Sequence, residues 1–246
     1  MKMESYWAVN QDTNIHYIDT KSLADSSLTP LIICPGLSET AEEYEDLLLF
    51  LLPRRAIVLS FRGRGSSDTP MRGYDLKEHI TDISAVVEHS KLERFHLMGN
   101  SRGVSYALGY AQTNEERLES LIVEDYPAEH KQMPTGWAAD YLSNYIIPTN
   151  RTANIRIEAV EGIQRESSAV FLNANLMLPV LVMRGLLEGS LINNQDLSQY
   201  KSLMHNVTIA SFEQSAHNIR YKEQDKLYQT ISQFMAQIDQ GKSLKG

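Results

Sequence analysis

Gly99-Asn100-Ser101-Arg102-Gly103 has the form Gly-x-Ser-x-Gly. A short strand, Phe95 to Met98, precedes it, and an apolar helical stretch, Val104 to Ala111, follows at once. In that setting the serine sits on a sharp strand-to-helix turn, the arrangement that exposes a nucleophilic hydroxyl. The flanking glycines are required because a side chain two residues before or after the serine would strike neighbouring backbone. Ser101 also stands at a helix N-terminus, where free N–H groups and the macrodipole favour developing negative charge. Without partners, the same pattern is only a glycine-rich turn with a surface serine.

A serine hydroxyl needs a base to take its proton. Seven histidines are available. His96 lies in the strand before the elbow, where packing is the simpler role. His79 and His89 fall on an amphipathic helix, at solvated or half-buried positions. His16 falls in a hairpin, His205 at a helix end, and His130 in a region within reach of a pocket. His217 is placed differently, in Ser215-Ala216-His217-Asn218, after the last strand and before the last helix. A loop there opens on the sheet edge where open α/β sheets bind ligands. His217 is therefore the expected base.

The third member should be a carboxylate that orients the imidazole. Chain order places it after a strand between Ser101 and His217. Pro179 to Arg184 supplies a strand and Gly185-Leu186-Leu187-Glu188 a turn, so Glu188 is the expected acid. Glu124 and Asp125 end the preceding strand on the same edge, and Asp125 is the alternative acid. Asp196 falls within the next helix. Cys34-Pro35-Gly36-Leu37-Ser38 ends another strand. The N–H of Leu37, with that of Arg102 after the nucleophile, would hold an oxyanion, since Pro35 has no N–H to give. Cys34 ends a buried strand with no histidine near it in sequence, which makes it a poor nucleophile.

Parallel strands and covering helices must bring these residues together. Tyr6–Val9 and Ile15–Ile18 read as a hairpin. Leu31–Cys34, Ala56–Phe61, Leu121–Val123, Val180–Met183 and Val207–Phe212 read as short buried strands. Tyr44, Leu47, Leu48 and Leu51 have helical spacing, as do Leu76, Ile80, Ile83 and Val87. A last helix is expected from about Lys222 to Ile238. Strand–helix alternation implies a mainly parallel sheet with helices on both faces. It lapses from Tyr126 to Leu178. The expected organisation is a single domain with a core of residues 1–125 and 179–246 and a cap insertion of residues 126–178. Trp137, Tyr141 and Tyr145 in the insertion either line an apolar pocket or simply pack along a helix. Arg102 either touches an acidic substrate or makes a structural ion pair.

The chain resembles the α/β-hydrolase superfamily from Tyr6 to about Ile238. Besides the elbow, Phe61-Arg62-Gly63-Arg64-Gly65-Ser66-Ser67 looks like the Arg-Gly-x-Gly-x-Ser segment after that family's fourth strand. Pro179–Gly185 looks like the strand before its acid, and Ala216-His217 like the segment of its base. The resemblance implies an α/β-hydrolase fold with a short helical cap and a triad of Ser101, Glu188 and His217. Three departures stand out: Pro35-Gly36 where His-Gly is frequent, Ser60-Phe61 where an Asp is common, and Glu in place of the usual Asp as acid. Ser101 sets the chain apart from haloalkane dehalogenases and epoxide hydrolases, whose nucleophile is Asp. It implies an esterase-like serine hydrolase that uses no metal or organic cofactor. Carbon–carbon bond hydrolases, hydroxynitrile lyases and cofactor-independent dioxygenases share the scaffold, as do non-catalytic ligand-binding members.

Composition is consistent with this. Of 246 residues, 42% are hydrophobic and 22% charged, which excludes a disordered chain. One cysteine excludes an internal disulfide. A net charge of −8 opposes nucleic acid as a partner. The longest apolar run, Leu47–Leu52, is too short for a membrane span. The N-terminal residues have no apolar signal region, so a cytoplasmic protein with a small-molecule substrate is expected.

Overall fold

The computed structural model describes residues 3–173 and 175–243. The chain opens on the expected hairpin, β1 (Glu4–Asn10) and β2 (Thr13–Asp19), paired antiparallel. β3 (Leu31–Cys34) leads through a 3-10 turn at Ala41–Tyr44 into α1 (Glu45–Phe50). β4 (Ala56–Leu59), α2 (Leu76–Ser90), β5 (Phe95–Asn100), α3 (Arg102–Asn114) and β6 (Leu118–Glu124) follow. Between β6 and the next long strand lie β7 (Glu129–His130), α4 (Trp137–Tyr141), a π-helical turn (Leu142–Ile146), α5 (Ile157–Glu166) and β8 (Val170–Phe171). The chain then forms β9 (Leu176–Gly185), α6 (Asn194–Leu203), β10 (Met204–Phe212), α7 (Ile219–Lys222) and α8 (Gln224–Ser243).

Eight strands make one sheet in the order β1-β2-β4-β3-β5-β6-β9-β10. From β4 to β10 every neighbouring pair is parallel. Only the β1–β2–β4 edge is antiparallel. The apolar runs lack alternation because both sheet faces are covered. Ile32, Leu97, Val123 and Val182 join α2, α3 and α6 on one face. Ile33, Met98, Ile122 and Leu181 join α1 and α8 on the other. β7 and β8 pair separately and carry the helical insertion, whose small core holds Ala138, Ile146, Ala159 and Ile163.

Element limits differ from expectation mainly at strand ends. β5, β6 and β9 run further toward the ligand-binding edge than their apolar stretches, because polar residues such as Asn100 and Glu124 still pair with each other there. α8 extends to Ser243, past the expected end near Ile238. His79 is fully buried, stacked on Tyr106 with ring centroids 4.1 Å apart, and so is not solvated or half-buried. Among the described residues no helix is long and apolar enough to cross a membrane.

Candidate active site

Ser101 joins β5 to α3 with φ of 51° and ψ of −131°, a strained conformation for a residue with a side chain. The glycines beside it are sterically required. A Cβ on Gly99 would lie 2.5 Å from the Cα of Val104. One on Gly103 would lie 2.2 Å from the Cys34 carbonyl oxygen and 2.4 Å from that of Pro35. The elbow therefore presses directly against the β3 loop.

His217, between β10 and α7, places Nε2 2.9 Å from Ser101 Oγ. Its Nδ1 lies 2.8 Å from Asp125 Oδ2. Asp125 follows β6, is fully buried, and has φ of 47°. Its Oδ2 also accepts from the Leu191 N–H at 3.0 Å. Its Oδ1 accepts from the Ser190 hydroxyl and, at 3.4 Å, from the Gly185 N–H. The expectation of Glu188 as the acid is thus corrected. The carboxylate that meets the imidazole is Asp125, the alternative, while Glu188 is exposed on the turn after β9. That turn instead supplies the hydrogen-bond donors that fix Asp125.

Burial lowers the His217 pKa, but the Asp125 hydrogen bond and charge outweigh it, aided by Glu124 and Glu39. The net effect holds the imidazole above its ordinary value. His96 and His130 also sit between a serine hydroxyl and an aspartate, Ser120 and Asp239 for His96 and Ser105 and Asp75 for His130, but neither lines the cavity over Ser101. His130 is buried, with Nδ1 3.0 Å from Ser105 Oγ and Nε2 3.1 Å from Arg102 Nη2. Burial and the Arg102 charge push it down to about 3. Burial pushes the Cys34 thiol far up, so it stays protonated.

A cavity of about 420 Å³ opens over Ser101 and His217. Leu37 and Arg102, the expected oxyanion donors, both line it. The Arg102 N–H is the first of α3 and has no helical acceptor a turn earlier. The Leu37 loop is held by Arg64, whose Nε donates to the Leu37 carbonyl at 3.0 Å, and by the Gly36 N–H on Glu39 Oε2 at 2.7 Å. Tyr141 and Tyr145 line the cavity from the insertion. Trp137 does not belong to its lining. It stacks on Tyr141 at 5.0 Å as Tyr141 stacks on Tyr145 at 5.3 Å, a ladder one helical turn apart.

Of the two expectations for the Arg102 side chain, the structural ion pair is not found among the described residues. Its guanidinium donates to neutral protein groups: Tyr106 Oη at 3.1 Å, Ser167 Oγ at 2.8 Å, the Lys131 carbonyl at 3.1 Å and His130. It ties the elbow helix to the insertion.

Sequence reasoning weighed Glu124 only as a candidate acid beside Asp125, and missed Arg220 as a lining residue. Glu124 is buried in the wall, and its carboxyl is pushed up to about 7 by burial, against the pull of Arg220. Arg220 stacks on the Tyr44 ring at 3.9 Å and donates to Glu39 at 2.9 Å. Its position three residues after His217, on the helix that follows the base, was a readable signal. Ser190, which orients Asp125, left none.

A family model described as the alpha/beta hydrolase fold matches residues 29–130, the stretch from β3 through the elbow to β7. Haloalkane dehalogenase 2 of Mycobacterium bovis is 27% identical over 122 residues, 49% of this chain and 41% of that protein. The chain thus spans well under half the length of that curated relative. Among solved structures, an esterase from Exiguobacterium antarcticum superposes with a TM-score of 0.80 at 18% identity, covering 95% of this chain and all of that one. An esterase from a Rhodococcus species gives 0.78 at 16% identity, covering 97% of this chain and 100% of that one. The sheet order, the strained serine elbow and these matches agree, and the chain has the α/β-hydrolase fold.

Proposed function

We propose that the protein is a serine hydrolase of small-molecule carboxylic esters or related carbonyl compounds, working through Ser101, His217 and Asp125. The observation that carries this reading is the unbroken contact from buried Asp125 through both ring nitrogens of His217 to Ser101 Oγ. His217 takes the Ser101 proton as Oγ bonds to the substrate carbonyl carbon. The N–H groups of Leu37 and Arg102 receive the resulting oxyanion. The tetrahedral adduct collapses as His217 returns the proton to the departing alcohol. Water, deprotonated by His217, then attacks the acyl-serine, and the acid and free Ser101 are released. Asp125 holds the imidazole in the required tautomer and stabilises its charged form. Residues 126–178 act as a cap that shapes the substrate cavity. The dehalogenase relative does not argue for halide chemistry here, because the elbow of this chain carries serine.

A fluorophosphonate probe should label Ser101 in the native protein. Ser101→Ala should abolish labelling and reduce p-nitrophenyl butyrate turnover by at least about 10⁴-fold with an unchanged melting temperature. Retained turnover in that variant would refute the assignment.

A further inference from the structure

Glu124 and Arg220 are cavity-wall side chains that the proposed reaction leaves unused. Glu124 ends β6, and its main-chain carbonyl accepts the Ser101 N–H at 2.9 Å, so it lies immediately beside the nucleophile. The residue is 1% exposed. Its Oε2 is buried without a hydrogen-bond partner among the described residues. Arg220, in α7, is 5% exposed. Its Nη2 donates to Glu39 at 2.9 Å and to Tyr221 Oη at 3.3 Å, whereas its Nη1 is buried without a partner among the described residues. Buried polar groups are nearly always satisfied, and leaving one unmade is costly. Here an acceptor and a donor stand unmatched in the wall of one cavity.

The surrounding charges restrict what could match them. Glu39, from the β3 loop, lines the cavity together with Glu124, so a substrate carboxylate would meet two acidic side chains. An ammonium group would meet the Arg220 guanidinium and, at low pH, the His217 imidazolium. A neutral group that both donates and accepts meets neither objection. Because Glu124 is held near 7, it can present a lone pair or an O–H to such a group.

We propose that Glu124 and Arg220 form a polar subsite beside Ser101 that selects substrates bearing a hydroxyl or carboxamide close to the scissile carbonyl, in preference to plain alkyl esters. This rests on the serine-hydrolase reading above. Glu124 and Arg220 are then specificity-determining residues and take no part in bond making.

The test compares kcat/KM for p-nitrophenyl 3-hydroxybutyrate and p-nitrophenyl butyrate within each enzyme preparation. The ratio is internal, so a general loss of folded protein or of triad geometry cancels. The native enzyme should favour the hydroxy ester by about 10- to 100-fold. Glu124→Leu should bring the ratio below about 3-fold, and Arg220→Met, which supplies the comparison if Glu124→Leu fails to fold, should do the same. A native ratio near unity, or one unchanged in the variants, overturns the subsite. If fluorophosphonate labels Ser101 while the ratio is flat, the subsite alone falls. If Ser101 is not labelled, the hydrolase reading falls, and calorimetric binding of 3-hydroxybutyramide against butyramide decides the subsite. Equal affinities reject it, and a 10-fold preference lost in Glu124→Leu upholds it.

Discussion

Asp125→Asn removes one charge from the proposed triad while keeping its shape. The hydrogen bonds define how the amide must sit. The Oδ2 position faces two donors, the Leu191 N–H at 3.0 Å and His217 Nδ1 at 2.8 Å. The Oδ1 position faces the Ser190 hydroxyl, which can rotate to accept, and only a long contact from the Gly185 N–H at 3.4 Å, so the amide oxygen takes the Oδ2 place and the nitrogen turns toward Ser190. His217 keeps its tautomer, so the variant isolates the charge. With Nδ1 2.8 Å from the carboxylate oxygen, the imidazolium and carboxylate charges are centred about 4 Å apart, worth about 4 kcal/mol at an effective dielectric constant of 20. Losing that from the transition state, where the ring is charged, lowers kcat/KM by about 10³-fold. The acid limb of the pH profile should also move to lower pH, because Asp125 is what holds the His217 pKa up. Glu188→Gln, on the exposed turn, should stay within about twofold of native activity. The assay is p-nitrophenyl butyrate hydrolysis, with melting curves to check folding. Asp125→Asn retaining more than a tenth of native kcat/KM, or Glu188→Gln falling as far as Asp125→Asn, would refute the reasoning.

The native pH profile offers another check. His217 must be neutral to act as base and its pKa lies above the ordinary 6.5, so kcat/KM should rise with pH through a midpoint above 6.5. A midpoint at or below that value contradicts the assignment. Gly103→Ala forces a methyl to within 2.2 Å of the Cys34 carbonyl. Overpacking of this kind costs about 1–3 kcal/mol, and the melting temperature should fall by roughly 2–12 °C together with activity. An unchanged melting curve would show that the β3 loop yields freely. Arg102→Leu cuts the links to Lys131, His130 and Ser167, and limited proteolysis within residues 126–178 should accelerate. Digestion at the native rate would mean that the insertion is held by other contacts.

The elbow was legible because every part of it is local. A short strand, two glycines and a helix start lie within about a dozen consecutive residues, and the steric need for Gly99 and Gly103 follows from that turn. His217 was legible from loop order, since parallel strands put every strand-to-helix loop on one edge. The sheet was legible because strands covered on both faces must be continuously apolar. The insertion was less so. Trp137, Tyr141 and Tyr145 share one helix face, but spacing could not say which ring meets the cavity and which packs inside.

The choice of acid shows where sequence order stops. β6 and β9 are adjacent and parallel, with Glu124 beside Met183, so the loops after both strands reach the same side of His217. Residue type and chain order allow Glu188 and Asp125 alike. The left-handed turn at Asp125, and the Ser190 hydroxyl and Leu191 N–H that converge on its carboxylate, decide between them. By itself the sequence determined the sheet and the edge where Ser101 and His217, the proposed nucleophile and base, meet, because these follow from local sterics and strand direction. Which carboxylate touches His217, and the polar wall of Glu124, Glu39 and Arg220, emerge only in three dimensions. They depend on where side chains far apart in the chain point over a few ångströms.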